Sequence, residues 1–404
     1  EVLPGVVSTS DFSAAFHVRG GSQDQNLILL DGVPVFSPFH LGGLFSVFNA
    51  DMVDRVELQS GGFPAEHGGR VSSVLDIESD PGEGPLNVAA GVSLLATRLA
   101  VGGRLPVSVA DALGRSSVRY RVSARRSYFD VLLKPAFEFP YHLTDFQAVV
   151  ESQGRSGDRL LITAYTGKDV LDLTRFDAED FPLRIDWDWG NDLVGVRWTR
   201  PRAGGGSLDL RANYSRYGTG LSFPDFADTE FLSGIEQAQD VRTSITLSRH
   251  DSRFSSELAL SAVDRNLFAT GGTEFGSGRG RGWQLGTYAQ GRWSVPSAWL
   301  VEAGLRFDGW VPDPGDGAAE LAPRLAVKRF FAGGDAAVKL VTGLFAEAKR
   351  DPAGGRAEAV RQAMLTLMAD GSRPAGWSAA HPSVWAPFVV VGEKARQRGS
   401  SNAA

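Results

Sequence analysis

Between residues 86 and 331, apolar and polar side chains alternate along the chain, and this alternation constrains the fold more than any other feature. The run Val241–Ser248 places its apolar residues on odd numbers and polar residues on even numbers, with Thr243 the only polar member of the odd set. The runs Leu208–Ser215 and Val301–Asp308 follow a similar rule. Because successive side chains of a strand point to opposite faces, each run predicts a strand with one apolar face. The region therefore predicts a large antiparallel sheet.

Turn signals divide this region into roughly eleven candidate strands, and aromatic residues often end their apolar sets. The strands are predicted at residues 88–103, 117–130, 145–154, 158–171, 186–200, 207–222, 235–250, 253–269, 279–295, 298–312 and 321–331. Apolar-out, polar-in strands with aromatic ends are typical of transmembrane β-barrels. A soluble β-sandwich shows similar alternation, so the pattern alone leaves both folds open.

Composition excludes several classes of protein. The 404 residues include no cysteine, which rules out disulfides, zinc–thiolate sites and thiol nucleophiles. The net charge of −6 is too small to indicate a nucleic-acid partner, and no apolar run approaches the ~20 residues of a membrane helix. No cofactor is predicted. Glu1 is not an initiator methionine and no secretory leader follows it, so we expect the chain to be a trimmed product or a fragment.

The stretch from Phe16 to Ile77 has a different character, because glycine pairs separate its short apolar runs. Asp31 and Gly32 form a hairpin turn signal between the arms 26–30 and 33–36. Asn49 is a candidate cap for a short helix that leads into a strand at 55–59. None of the glycine pairs has the spacing of a phosphate-binding loop, so we expect them to permit close packing.

Four motifs follow one another in this stretch: Val18-Arg19-Gly20-Gly21, Leu30-Asp31-Gly32-Val33-Pro34, Val56-Glu57-Leu58 followed by Gly61-Gly62, and Gly68-Gly69-Arg70. In this order they resemble the plug domain of TonB-dependent outer-membrane receptors. The resemblance implies an outer-membrane transporter, not an enzyme, that imports a scarce small-molecule ligand such as a metal chelate, vitamin or oligosaccharide. Its partners would be the TonB energy-transducing complex and outer-membrane lipid.

A plugged receptor of this family needs ~22 strands, so the candidate strands amount to about half of a barrel wall. The expected fold is mainly β, with a small α/β plug domain at residues 1–80 and a partial antiparallel transmembrane β-barrel at 86–331. A short α/β tail follows at 335–404. Because open sheet edges are costly in lipid, this chain is not expected to form a complete transporter alone.

The resemblance also implies roles for individual plug residues. Arg19, Glu57 and Arg70 are expected to form a releasable latch, because plug charges of this kind meet barrel charges in the lumen and buried charges need partners. The alternative is that all three are solvated surface charges. Phe36, Phe39 and His40 flank or lie in a predicted apical loop at 38–43 and are candidate ligand contacts. The structural motif residues are Gly20, Gly21, Asp31, Gly32, Pro34, Gly61, Gly62, Gly68 and Gly69.

Three plug histidines, His17, His40 and His67, are scattered without the spacing of a metal site, and no metal is predicted. Asp31 is interpreted as a turn residue and not as a catalytic acid.

The tail predicts two helices, at 336–349 and 356–369, followed by a buried strand after His381-Pro382. It resembles the C-terminal end of CHAT domains through Leu340-Val341-Thr342-Gly343-Leu344-Phe345, the run 356–364, and Trp385-Ala386-Pro387-Phe388-Val389. Peptidase members of that family use a cysteine, which this chain lacks.

Two alternatives to the receptor fragment remain. One is a truncated or fused chain without transport activity, whose tail is a non-catalytic interaction module. The other is a soluble all-β binding protein.

Overall fold

The computed structural model describes residues 6–8, 16–18, 20–22, 25–60, 64–69, 72–93, 95–132, 140–175, 184–224, 230–269, 273–295 and 299–329, together with three helical positions at 362, 365 and 366. The predicted CHAT-like tail otherwise lies outside these residues. Residues 5–292 and 302–326 belong to one compact unit, which contains every side chain used in the site below. In the described part of the chain, no helix is long and apolar enough to span a membrane.

The N-terminal region forms a small mixed sheet with two accessory hairpins. Its strands are β1 Val6–Ser8, β2 Phe16–Val18, β3 Asn26–Leu30, β4 Val33–Pro34, β5 Phe39–His40, β6 Phe45–Ser46, β7 Val53–Gln59 and β8 Ser73–Ser79. The central sheet has the order β4-β3-β8-β7, in which β3 and β8 are parallel and the other pairs are antiparallel. Strands β1 and β2 pair with each other, as do β5 and β6.

Two predicted local features of this region are confirmed. Asp31 and Gly32 both have positive φ, 52° and 82°, as a two-residue hairpin turn with the twist of its strands requires. The return strand is shorter than predicted and ends at Pro34. Asn49 caps a single 3-10 turn at Ala50–Met52, where its side chain accepts a hydrogen bond from the backbone N–H of Asp51.

The rest of the described chain forms a 12-stranded sheet whose strands follow one another in chain order. The strands are β9 Asn87–Val92, β10 Ala96–Arg104, β11 Arg115–Ser127, β12 Tyr141–Gly154, β13 Arg159–Asp172, β14 Asp186–Arg202, β15 Gly206–Pro224, β16 Glu230–Arg249, β17 Ser252–Ala269, β18 Thr273–Val295, β19 Trp299–Asp313 and β20 Ala318–Arg329. Two short helices, α1 Val107–Ala112 and α2 Phe129–Leu132, follow β10 and β11. We call this 12-stranded sheet the wall.

The single strand predicted at 88–103 is wrong, because two strands, β9 and β10, occupy that range. Ser93 makes the turn between them. Its hydroxyl oxygen accepts hydrogen bonds from the N–H groups of Leu95 and Ala96, and the hydroxyl donates to the carbonyl of Ala96. A serine side chain can replace backbone turn contacts in this way, so the turn needs neither glycine nor proline.

The two faces of the wall have opposite polarity, and the apolar face is the exposed one. In β16, the side chains of Val241, Ile245 and Leu247 are 52, 46 and 40% exposed. Polar residues of the other face are buried, among them Gln147, Glu151, Thr163 and Asp169. A soluble sandwich buries its apolar face against a second sheet, which makes this arrangement the inverse of that fold. Exposed apolar and buried polar side chains are the pattern of a lipid-facing barrel strand.

The N-terminal region packs on the polar face of the wall. Leu30, Val33 and Ile77 share one apolar cluster with Tyr165 of β13 and Leu193 of β14. A second cluster joins Met52 to Val149 and Leu161 of the wall. These apolar patches fix the N-terminal region against strands β12 to β14, and the polar contacts described below lie around them.

Candidate functional site: the interface between the N-terminal domain and the wall

His40 lies between two carboxylates of the wall. Its Nδ1 is 2.6 Å from Oδ2 of Asp169 on β13, and its Nε2 is 2.9 Å from Oδ1 of Asp145 on β12. The second contact is close enough for an ion pair, although its angles fall outside hydrogen-bond geometry. The histidine is only 1% exposed. A two-residue strand of the N-terminal domain is therefore tied to two neighbouring strands of the wall.

Further polar groups surround this contact and bind the same two carboxylates. The hydroxyl of Tyr141 donates to Asp169, and the hydroxyl of Tyr165 donates to Asp145 over 2.6 Å. The Nε of Arg125 donates to Asp145 over 2.6 Å. We call these six residues the His40 clasp: His40, Arg125, Tyr141, Asp145, Tyr165 and Asp169.

The clasp determines the protonation of His40. Burial by itself would lower the pKa of the imidazole, but the contacts with Asp145 and Asp169 together outweigh it and raise the pKa to about 9. At neutral pH the ring is therefore a positively charged imidazolium with a proton on both nitrogens. Each of these nitrogens faces a carboxylate.

Asp31 binds both strand β8 of its own domain and the wall. Its carboxylate accepts hydrogen bonds from the backbone N–H and hydroxyl of Ser79, at 2.8 and 2.7 Å. It also accepts one from the hydroxyl of Thr163 on β13 at 2.5 Å. Gln147 of β12 donates to the Ser79 hydroxyl over 3.1 Å. The predicted turn residue is thus also a hydrogen-bond acceptor in the interface.

Glu66 forms a third connection, with arginines of the wall. Its carboxylate lies 2.7 Å from Nη1 of Arg253 and 3.9 Å from Nη2 of Arg211. Arg306, only 4% exposed, donates to the carbonyl oxygens of Ala65 and Glu66 and forms an ion pair with Asp308. An acid of the N-terminal domain therefore meets cations of the wall at this point.

The predicted latch residues are only partly described. Arg19 and Arg70 lie outside the described residues. Glu57 is on β7, where its side chain is 48% exposed, and its nearest polar partners are Gln59 and Arg55 of the same strand. The described contact between an acid of this domain and wall arginines is made by Glu66, which sequence reasoning missed. Nothing in the local sequence distinguishes Glu66 from the neighbouring acids, because its partners Arg211 and Arg253 are 145 and 187 positions away.

The three candidate ligand contacts do not meet in one place. His40 is buried in the clasp. Phe36 is 41% exposed and borders a cavity of about 260 Å³ that also reaches Glu66 and Arg211. Phe39 lines a separate apolar cavity of about 440 Å³ with Phe16 and other apolar residues of the same domain.

A larger polar cavity of about 690 Å³ lies between the β7–β8 side of the N-terminal domain and the wall. The domain contributes several carboxylates, including Glu57, Asp76 and Glu78, and the wall contributes both arginines and carboxylates. Burial, together with the charge of Glu78, raises the pKa of Asp76 to about 6. Burial lowers the pKa of His67 at the edge of this cavity. In the part of the chain that is described, no group of three or more His, Asp or Glu residues is arranged to hold a metal ion.

Several of the predicted motif glycines sit where a side chain would not fit or where φ is positive. A Cβ on Gly68 would lie 2.3 Å from Nε of Arg306, and one on Gly21 would lie 2.4 Å from the hydroxyl oxygen of Ser72. Gly20 and Gly69 have φ of 80° and 73°. Gly61 and Gly62 lie outside the described residues. Gly21 and Gly68 are therefore closely packed, whereas Gly20 and Gly69 have open space and a positive φ.

Comparison with known proteins gives one family match and many structural matches. Residues 1–73 match the TonB-dependent receptor plug domain. No curated protein sequence matches the chain. The pyoverdine outer membrane receptor FpvA from Pseudomonas aeruginosa PAO1 is similar, with TM-score 0.60 and 14% identity over 82% of this chain and 57% of that one.

Two further solved structures are similar to this chain over about the same share of its length. The FrpB iron transporter from Neisseria meningitidis has TM-score 0.58 and 11% identity over 81% of this chain and 58% of that one. A mutant of the ferric enterobactin receptor PfeA from Pseudomonas aeruginosa has TM-score 0.54 and 15% identity over 82% of this chain and 56% of that one. The chain thus spans little more than half the length of these proteins, and at such identities the likeness establishes the fold alone.

The order of the strands, the exposed apolar face and the small domain on the polar face agree with this fold. The family match identifies the N-terminal domain as a TonB-dependent receptor plug domain, and the wall has the fold of part of the β-barrel in these solved structures.

Proposed function

We propose that this chain is part of a TonB-dependent outer-membrane receptor that takes up a scarce ligand. The plug domain would close the barrel and would release its contacts with the wall when the TonB complex pulls on it. Uptake of this kind breaks no bond in the ligand, and we propose no enzymatic activity. The domain bounds that we propose are 1–80 for the plug, 86–331 for the barrel and 335–404 for the tail.

One observation carries this proposal: the wall exposes its apolar face and turns its polar face to the plug. Val241, Phe254 and Trp283 on neighbouring strands are each about half exposed. Contiguous apolar surface of this extent is unfavourable in water and favourable against lipid acyl chains. The polar face holds the plug through hydrogen bonds and ion pairs in addition to the two apolar clusters, and these polar groups can exchange their partners for water when the plug is released.

The ligand class that we propose is a metal chelate. The support is that the similar structures include a pyoverdine receptor, an iron transporter and a ferric enterobactin receptor.

Phe36 and Phe39 remain our proposed ligand contacts. Arg19, Glu57 and Arg70 remain a proposed plug–barrel latch, to which Glu66 is added from its contact with Arg253.

The test uses the whole gene product in the envelope of its bacterial host. We expect it in the outer-membrane fraction and soluble only with detergent. We also expect cells that carry it to accumulate at least one of two probes, ferripyoverdine or ferric enterobactin, and to lose that accumulation when TonB is deleted. Recovery of the protein in the aqueous fraction without detergent would refute the membrane assignment. Accumulation that is independent of TonB would refute the transport mechanism.

A further inference from the structure

We propose that His40 is a charged latch of the plug. Its imidazolium, held between Asp145 and Asp169, keeps the loop at residues 38–48 seated on the wall, and loss of this single positive charge frees the loop. The inference rests on the contacts of the clasp and holds whether or not the protein transports a ligand.

The first step is a charge count over the strands that face His40. Strand β11 contributes Arg125, β12 contributes Asp145, and β13 contributes Asp169, with the neutral phenols of Tyr141 and Tyr165 beside them. The two carboxylates and the guanidinium sum to −1. A protonated His40 brings the sum to zero, whereas a neutral one leaves an uncompensated charge in a buried place, which is strongly unfavourable.

The second step is that the same charged groups hold the loop at several points. The N–H of Leu41 donates to Oδ1 of Asp169 over 3.2 Å. Nη2 of Arg125 donates to the carbonyl oxygens of Ser46 and Val47, at 2.8 and 3.3 Å. Both ends of the loop are thus bound to the groups whose charges His40 balances.

The third step is that the loop needs outside contacts to keep its conformation. Leu41 has a φ of 45°, a left-handed value that is unfavourable for a residue with a Cβ, and Gly42 follows at 63°. Leu41 and Phe45 also pack near Tyr141 and Trp189. The experiment must therefore separate the effect of charge from that of packing.

A unique label can report the loop, because the chain contains no cysteine. Leu44 lies in the loop and is 46% exposed, so we choose Leu44→Cys as the attachment site for a nitroxide spin label. The label is read in the whole protein in detergent, where an immobile spectrum reports a seated loop. The histidine control is His17→Gln, since His17 contacts the carbonyl oxygen of Gly21 within the plug and not the wall.

The decisive comparison is between one single and one double variant. His40→Gln leaves the charge sum at −1, and we expect the label to become mobile. His40→Gln combined with Asp169→Asn returns the sum to zero, and we expect the immobile spectrum to be regained, although two clasp side chains have changed. If the double variant is as mobile as the single one or more so, His40 acts by packing and the proposal is overturned.

A second measurement needs no substitution in the clasp and covers the case in which His40→Gln fails to fold. The labelled protein that retains His40 is titrated from pH 6 to pH 10. We expect an immobile label at neutral pH and a mobile one above about pH 9. The His17→Gln variant should follow the same curve. A label whose mobility does not change across this range would contradict the latch, while uptake assays would still decide the transport function separately.

Discussion

Nδ1 of His40 lies 2.6 Å from Oδ2 of Asp169, and this contact connects residues 129 positions apart. The histidine belongs to a two-residue strand that has few contacts of its own, whereas the aspartate lies in a strand of 14 residues at the centre of the interface. The position of the loop thus depends on charges supplied by the wall. The contact lies outside the central sheet of the N-terminal domain, so breaking it does not interrupt that sheet.

The raised pKa of His40 predicts that plug stability depends on pH. A pKa of about 9 in the folded state lies above the value of 6.5 for a free histidine. The stabilisation is therefore complete below pH 6.5 and is lost as the pH rises through 9, with a total of the order of 3 kcal/mol. Thermal unfolding in detergent at pH 6, 8 and 10 measures it. The His40→Gln variant should show a much flatter dependence, and a wild-type midpoint independent of pH would contradict the prediction.

Asp76 predicts a loss of stability in the same direction of pH, but over a lower pH range. Burial and the charge of Glu78 raise its pKa to about 6, and its Oδ1 atom is buried without a described hydrogen-bond partner. The ionised form is therefore unfavourable in the folded state, and the contribution of Asp76 to stability is lost as the pH rises from about 4 through 6. We expect Asp76→Asn to stabilise the plug at pH 7 by about 1–2 kcal/mol. Denaturant titration measures the change. The matched control is Asp54→Asn on the exposed side of β7, which should have little effect.

The sequence predicted those features that depend on neighbouring residues. The alternation in β16 located both faces of the strand, because side-chain direction in a strand depends only on residue number. The positive φ values at Asp31 and Gly32 followed from the residue types that tolerate them. The turn at Ser93 was missed because its contacts are made by a side chain in a sequence without glycine or proline.

The interface could not be predicted in the same way, since its contacts join distant parts of the chain. His40 was expected to touch ligand because its loop resembles one that does so in the family, but its two carboxylate partners occupy separate strands of the wall. Glu57 and Glu66 are both acids of the plug near glycine motifs. Only the positions of Arg211 and Arg253 on the folded wall distinguish them.

A side chain at Gly68 is predicted to disturb the hydrogen bonds from Arg306 to the carbonyl oxygens of Ala65 and Glu66. A Cβ at this position would lie 2.3 Å from Nε of Arg306, whose side chain is buried and paired with Asp308. Because that side chain has little room to move, we expect Gly68→Ala to displace it from the carbonyls of Ala65 and Glu66 and to destabilise the plug by about 1–3 kcal/mol. Limited proteolysis of the plug measures the loss. Gly280→Ala on β18 is the control, because a Cβ there meets nothing within 4 Å. Equal protease resistance of the two variants would contradict the prediction.

Val241 tests the exposed face of the wall. Its side chain is 52% exposed near the middle of β16, so in an outer membrane it would face lipid acyl chains. A lysine on the lipid face of a barrel costs about 2–4 kcal/mol near the bilayer centre. We therefore expect Val241→Lys to reduce the amount of protein assembled in the outer membrane, measured as the fraction that requires detergent for extraction. Ser244→Lys is the matched control, because Ser244 borders the cavity of about 260 Å³ on the plug side of the wall, where a lysine does not meet lipid. If both variants assemble like the unchanged protein, the apolar face does not meet lipid and the barrel assignment fails.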